Sequence, residues 1–378
     1  MFARRSTRDI APNALTRALE AAAREGRAVL DLTSSNPTRL GLSPDRAALA
    51  AAYAEGPLER YEPESFGPAR AREAVAAFVR RPVERVCLLA STSEAYVLLF
   101  GLFADPGERV LVPRPSYPLF EDLARIAGVT LVPYPLRYDG EFFVDREALA
   151  RAAEGCRAIC AISPNNPTGH HLSEDDHRFL LSLGLPVILD QVFEPFALER
   201  PASDLVARSG LQVVLGGFSK ALALPQVKLG WAIFEGEDAL VREALARFEH
   251  IADAMLSLST PTAIAAPRLL REAPAIQARI RARCLEDLGL LDAARAPDAA
   301  WDRLEVGGGF TVLLRLPAVL SDEAWALRFL DAGVLVQPGY FFDLDEGCFV
   351  ALSLITDPRV FREGVARIAR VIEEVCAG

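Results

Sequence analysis

Leu211–Glu235 reads LQVVLGGFSKALALPQVKLGWAIFE. Its two ends, LQVVLGG and KLGWAIFE, are continuous apolar runs that do not alternate with polar residues. A strand written this way is buried on both faces, which implies a parallel or mixed sheet with helices on each side. The segment between the runs holds Lys220 and Lys228, the only lysines of the chain; the other 39 of its 41 basic residues are arginine. A guanidinium keeps its charge at every physiological pH, whereas an amine can lose its proton. Lys220 therefore marks a place where a neutral amine is wanted.

The same alternation extends outward on both sides. RVCLLA (Arg85–Ala90) leads to a helix from about Ser93 to Phe103, ERVLVP to a helix over Tyr117–Ala127, and VTLVPY follows. CRAICAIS leads to a helix from about Ser173 to Leu183, then PVILD, and another helix opens near Glu237. After about Cys284 the pattern changes to strand GGGFTVLLRL, helix Ser321–Asp331, strand CFVALSLIT and a last helix opened by Asp357-Pro358. The expected fold class is α/β: a three-layer α/β/α large domain with a mostly parallel sheet over residues 46–284. A smaller α+β domain is expected from residues 1–45 together with 285–378.

In such sheets ligands bind beyond the carboxyl ends of the strands. The polar residues there are Ser91-Thr92-Ser93, Tyr117, Asn165-Asn166, Asp190 and Ser219-Lys220. Each has a plain structural use, as a cap, a turn or a strand end. Together they suit one ligand. Hydroxyls and free N–H groups at a helix start cradle a phosphate. A carboxylate at the end of a buried strand needs a cation, which a protonated ring nitrogen supplies. A neutral lysine forms a Schiff base. These three features describe a pyridoxal phosphate site.

The 378 residues are 51% hydrophobic and 24% charged, with a net charge of −10. That acidity argues against nucleic acid or an anionic membrane as a partner. Six cysteines form no CxxC pair, and two of the four histidines are the adjacent His170-His171, so no metal site is expected. No apolar run approaches about 18 residues, and Met1–Ile10 carries charges with no apolar core. The expectation is a cytoplasmic protein.

SPNNPTG (Ser163–Gly169) and GGFSK (Gly216–Lys220) followed by LPQVKLGW resemble the fold-type I pyridoxal phosphate enzymes, specifically the class I/II aminotransferases. VPRPSYP (Val112–Pro118), YEPESFGPARAREAVAAF (Tyr61–Phe78) and STSEAYVLLF (Ser91–Phe100) match the same family more loosely, in its order. The resemblance implies that Lys220 binds the cofactor aldehyde and shuttles a proton at the substrate Cα. It implies that Asp190 pairs with the ring nitrogen, Asn166 bonds the ring hydroxyl oxygen and Tyr117 stacks on the ring. Ser91, Thr92, Ser93, Ser219 and Lys228 join the cofactor set, and Tyr61 reaches in from a second subunit of a homodimer with shared sites. An amino acid donor and a keto acid acceptor follow, in ping-pong half-reactions.

Four positions depart from the family pattern. Lys228 replaces an arginine, Phe193 replaces a tyrosine that donates to the ring oxygen, and Gly217 stands where a serine is common. Ala351 occupies the position of an arginine that clamps the substrate carboxylate. Asn36, Arg39 and Arg359 are the substitute candidates for that clamp. The lost clamp keeps open a decarboxylase or a C–S or β-eliminating lyase on the same cofactor.

Overall fold

The upstream apolar runs become strands of one eight-stranded sheet among the described residues. The computed structural model describes residues 2–6 and 11–377, so the charged stretch Met1–Ile10 falls partly outside the described residues. The strands are β1 (Val86–Leu89), β2 (Arg109–Arg114), β3 (Thr130–Tyr138), β4 (Phe142–Val144), β5 (Cys156–Ile162), β6 (Val187–Asp190), β7 (Leu211–Gly217) and β8 (Gly230–Gly236). Their order across the sheet is β1-β8-β7-β6-β5-β2-β3-β4. The five strands β7, β6, β5, β2 and β3 run parallel. β8 is antiparallel to both its neighbours, and β4 is an antiparallel edge on β3.

Continuous apolar strands are needed because both faces are covered. Along β5, Ala158, Cys160 and Ile162 pack with Tyr96 and Leu99 on one side, while Ile159 and Ala161 pack toward Leu269 and Ile276 on the other. Those layers come from α1 (Thr92–Phe103), the single turn α2 (Phe218–Ala221) and the 35-residue α3 (Thr260–Ala294), with further helices on each face. The direction of β8 is set by closure. Gly217 of β7 pairs with Gly230 of β8, and Phe218 N donates to Leu229 O at 2.9 Å. The lysine-bearing segment therefore leaves and returns at one point, as a hairpin does.

A second sheet follows, with β9 (Asp302–Arg303), β10 (Thr311–Arg315), β11 (Gln337–Pro338) and β12 (Phe349–Ser353) in the antiparallel order β9-β10-β12-β11. The helices α4 (Asp322–Asp331) and α5 (Pro358–Ala377) accompany it. Leu30–Asp31, near the N-terminus, pairs in parallel with Val334–Leu335. α3 runs unbroken through residue 284, where a domain boundary is expected from the sequence.

Two sequence expectations need correction. The helix expected from Tyr117 begins at Phe120, because Pro118 disfavours helical backbone at the residue before it. The run GGGFTVLLRL is strand only over Thr311–Arg315. Its glycines instead meet two other segments: Gly308 N donates to Gly169 O at 3.1 Å, at the end of the Ser163–Gly169 stretch, and Gly309 N donates to Phe196 O at 2.9 Å, in the turn after β6. No described helix is long and apolar enough to cross a membrane.

Candidate active site

α2 carries Lys220 off the carboxyl end of β7 to a place beside two aromatic rings. Its Nζ lies 5.5 Å from the Phe193 ring centroid and 5.9 Å from that of Phe310. These two rings meet edge to face, with centroids 5.0 Å apart. Burial pulls the Lys220 amine below the usual lysine range, and the Asp190 charge only partly restores it. The shift makes this amine easier to deprotonate than an ordinary lysine, which favours attack on an aldehyde or uptake of a proton.

Asp190 closes β6 and is buried. Tyr96 Oη donates to its Oδ2 at 2.9 Å, and the Val192 N–H donates to its Oδ1 at 2.9 Å. Burial nonetheless pushes its carboxyl up to about 6, against the pull of those two donors and of Lys220. Tyr117, half exposed, has its phenol pKa raised by burial and by the Asp190 charge, so it shares this electrostatic environment.

The loop after β5 is stitched to both neighbours. Asn165 Oδ1 accepts from Thr168 Oγ1 at 2.9 Å, and Asn165 Nδ2 donates to Pro115 O at 3.4 Å, just before Tyr117. Asn166 Oδ1 accepts from Thr311 Oγ1 at 3.1 Å.

Ser91 caps α1. Its Oγ accepts from Glu94 N at 3.1 Å, while Glu94 Oε2 accepts from Ala90 N at 2.8 Å and from Ser257 Oγ at 2.9 Å. The first-turn N–H groups of Thr92 and Ser93 have no acceptor within the helix. Gly230 makes this cradle possible, since a Cβ there would stand 3.0 Å from Ser91 C and 3.1 Å from Thr92 N.

Among the described residues, no hydrogen bond or ion pair ties the side chains of the other expected residues to this cluster. Lys228 is exposed at a positive φ of 59° and makes no ion pair among the described residues. Ser219 is half-buried beside Lys220. Tyr61 is exposed and lines a separate small cleft with Glu62, Leu88 and Ser257. Asn36 caps the turn Pro37–Leu40 by accepting from Thr38 N and Oγ1 at 3.1 and 2.7 Å. Arg39 in that turn and Arg359 in the first turn of α5 are exposed, and neither side chain has an ion pair among the described residues. Ala351 is wholly buried between Leu313 and Gln337.

Tyr96, Phe310 and Thr311 are contributors that the sequence reading missed. A tyrosine inside a buried helix needs a partner for its hydroxyl, and three successive glycines signal a close backbone approach. Neither signal names the partner. A separate cleft of about 310 Å³ lies between Pro133–Tyr138 and Asp343–Phe349, but it contains none of the residues around Lys220. The arginines on its rim are already paired, Arg114 with Asp343 and Arg137 with Glu346.

Residues 27–365 match the family described as aminotransferase class I and II. The chain belongs to this family. This class I/II aminotransferase family member is 29% identical over 284 residues to a histidinol-phosphate aminotransferase of Chlorobium chlorochromatii, covering 74% of each chain. It is 29% identical over 313 residues to an arginine–pyruvate transaminase of Pseudomonas aeruginosa, covering 77% of this chain and 76% of that one. The chain spans about half the length of several other curated relatives it matches. A Pyrococcus furiosus alanine aminotransferase structure shares the fold at a TM-score of 0.86 and 21% identity, over 99% of this chain and 100% of that one. A double mutant of Thermus thermophilus aspartate aminotransferase aligns at 0.83 and 25% identity, over 98% and 99%.

The family depends on pyridoxal phosphate. The residues around Lys220 fit that group: the buried Asp190 carboxylate makes no ion pair among the described residues, and the first-turn N–H groups of Thr92 and Ser93, closely approached by Gly230, have no acceptor within their helix.

Proposed function

We propose that this family member is a pyridoxal phosphate-dependent aminotransferase, moving an amino group from an amino acid to a keto acid in ping-pong half-reactions. One observation carries the reading: the buried carboxylate of Asp190 and the Lys220 amine, which burial pulls below the usual lysine range, lie within electrostatic reach of each other, with the rings of Phe193 and Phe310 beside the amine. When bound, the cofactor supplies an electron sink for the pair left at the substrate Cα.

The chain's residues do the rest. Lys220 moves the proton between the substrate Cα and the cofactor C4′. Asp190, held by Tyr96 and Val192, keeps the ring nitrogen protonated. Asn166 donates to the ring oxygen, a task Phe193 cannot share because it has no donor. Tyr117 lies against the ring. Ser91, Thr92, Ser93, Ser219 and Lys228 hold the phosphate, with Tyr61 of a second copy completing the site in a homodimer. Asn36, Arg39 and Arg359 receive the substrate carboxylate, and the protein works in the cytoplasm as a large domain (46–284) and a small one (1–45 with 285–378). An amino donor with a nitrogen-rich side chain is one candidate, since the two curated relatives at 29% identity are named for histidinol phosphate and arginine.

A second reading keeps the cofactor and changes the bond that breaks, giving a decarboxylase or an eliminating lyase. The wholly buried Ala351 is what favours it. The test is the absorbance of the holoenzyme during a panel of amino acids and amines. Loss of the yellow colour with release of a keto acid supports transamination; release of ammonia or carbon dioxide with the colour retained overturns it in favour of the second reading.

A further inference from the structure

We propose that Thr311 is a positioning residue that holds the Asn166 amide with its Nδ2 toward the cofactor. This rests on the reading above, in which Asn166 donates to the ring oxygen. Thr311 Oγ1 donates to Asn166 Oδ1 at 3.1 Å, linking the start of β10 to the loop after β5. No other described group bonds the Asn166 side chain.

The strand register explains why a threonine is there. Directly opposed residues of an antiparallel ladder share a face. Thr311 opposes Ser353, and Leu313 opposes Ala351, which also opposes Gln337. Thr311 and Ala351 thus lie on one face of the small sheet, one diagonal step apart. Where the family pattern has an arginine on that face, this chain has a methyl group, and the neutral hydroxyl of Thr311 meets the asparagine. The strand start is itself anchored: Leu354 N donates to Phe310 O at 2.7 Å, and Ser353 Oγ donates to Ser34 O at 2.8 Å.

A carboxamide has a donor end and an acceptor end of nearly equal shape, so its neighbours decide its orientation. An ionised ring oxygen only accepts, which demands Nδ2 in front and leaves Oδ1 behind. Oδ1 then needs a donor, and Thr311 supplies it. The titratable side chains on the elements that meet here include His170 and His171 on the Asn166 loop, both shifted down by burial. The others are Asp190 at the end of the next strand, Lys220 beside Phe310, Tyr117 coupled to Asp190, and Tyr96 bonded to it. Asn165, Thr168, Phe193 and Phe310 are uncharged.

The experiment is a pH titration of the visible absorbance of the holoenzyme, which reads the proton on the lysine–cofactor linkage and needs no turnover. When that proton leaves, the ring oxygen loses its internal donor and depends on Asn166. T311V keeps the shape and removes the donor, so its midpoint should rise by about one pH unit. T311S should restore the wild-type midpoint, and N166A should rise at least as far as T311V. A wild-type midpoint in T311V beside a raised one in N166A overturns the role of Thr311 and leaves the cofactor site standing. A wild-type midpoint in N166A overturns the ring-oxygen contact itself, and the inference with it. If T311V retains no cofactor, T311A is titrated in its place, and an unchanged midpoint there is equally decisive against the proposal.

Discussion

The two ends of this site are built on opposite principles. At the ring-nitrogen end, Asp190 is buried, takes one donor on each oxygen, and faces a lysine between two phenyl rings. At the end proposed for the substrate carboxylate, Ala351 is wholly buried, and Arg39 and Arg359 stand exposed with no ion pair among the described residues. The lesson is one of cost. A preorganised buried charge needs its partners assembled in advance, and Asp190 has them in Tyr96 and the Val192 N–H. On the proposed reading, the substrate carboxylate meets exposed, solvated cations, which are cheap to hold and easy to retune.

The harshest way to break this contrast is to remove the amine. K220A should lower kcat by about 10,000-fold while the protein still folds, measured as product formed per holoenzyme. Activity within tenfold of wild type would remove Lys220 from the mechanism. D190A should follow at about 1,000-fold, since it takes away the counter-charge of the ring nitrogen and leaves the Tyr96 hydroxyl without its acceptor.

The same carboxylate makes a prediction about stability in the cofactor-free protein. The folded carboxyl sits at about 6, above its ordinary value, so the folded state holds a proton that the unfolded state has released. Stability therefore falls as pH rises from about 4 to about 6 and is flat beyond. Apo D190N should escape that loss and melt higher than apo wild type at pH 8, by no more than about 3 kcal/mol, with little difference at pH 4. Equal melting temperatures at both pH values would mean that Asp190 is not desolvated.

Lys228 tests the phosphate edge. K228R should weaken cofactor retention about tenfold if the pocket takes a compact charge and not a fork, as followed by dialysis and residual absorbance. The smallest effects belong to the exposed end. R39A or R359A should raise KM for a carboxylate substrate by up to about tenfold, with kcat nearly unchanged. If neither moves KM, the substrate carboxylate is read elsewhere.

The sequence by itself determined the residue types at the strand ends and the burial of both sheet faces. It did so because apolar continuity and strand-end polarity are local properties, readable within a few residues. Asp190, Asn166 and Lys220 follow from that reading, as does the mixed sheet. Tertiary structure alone decided the rest. Tyr96 reaches Asp190 across 94 positions of sequence, and Thr311 reaches Asn166 across 145. The direction of β8 depends on the closure of Gly217 against Gly230, and the start of α5 fixes where Arg359 stands. A hydrogen bond between distant segments depends on how two layers pack, and no periodicity in either segment encodes its partner.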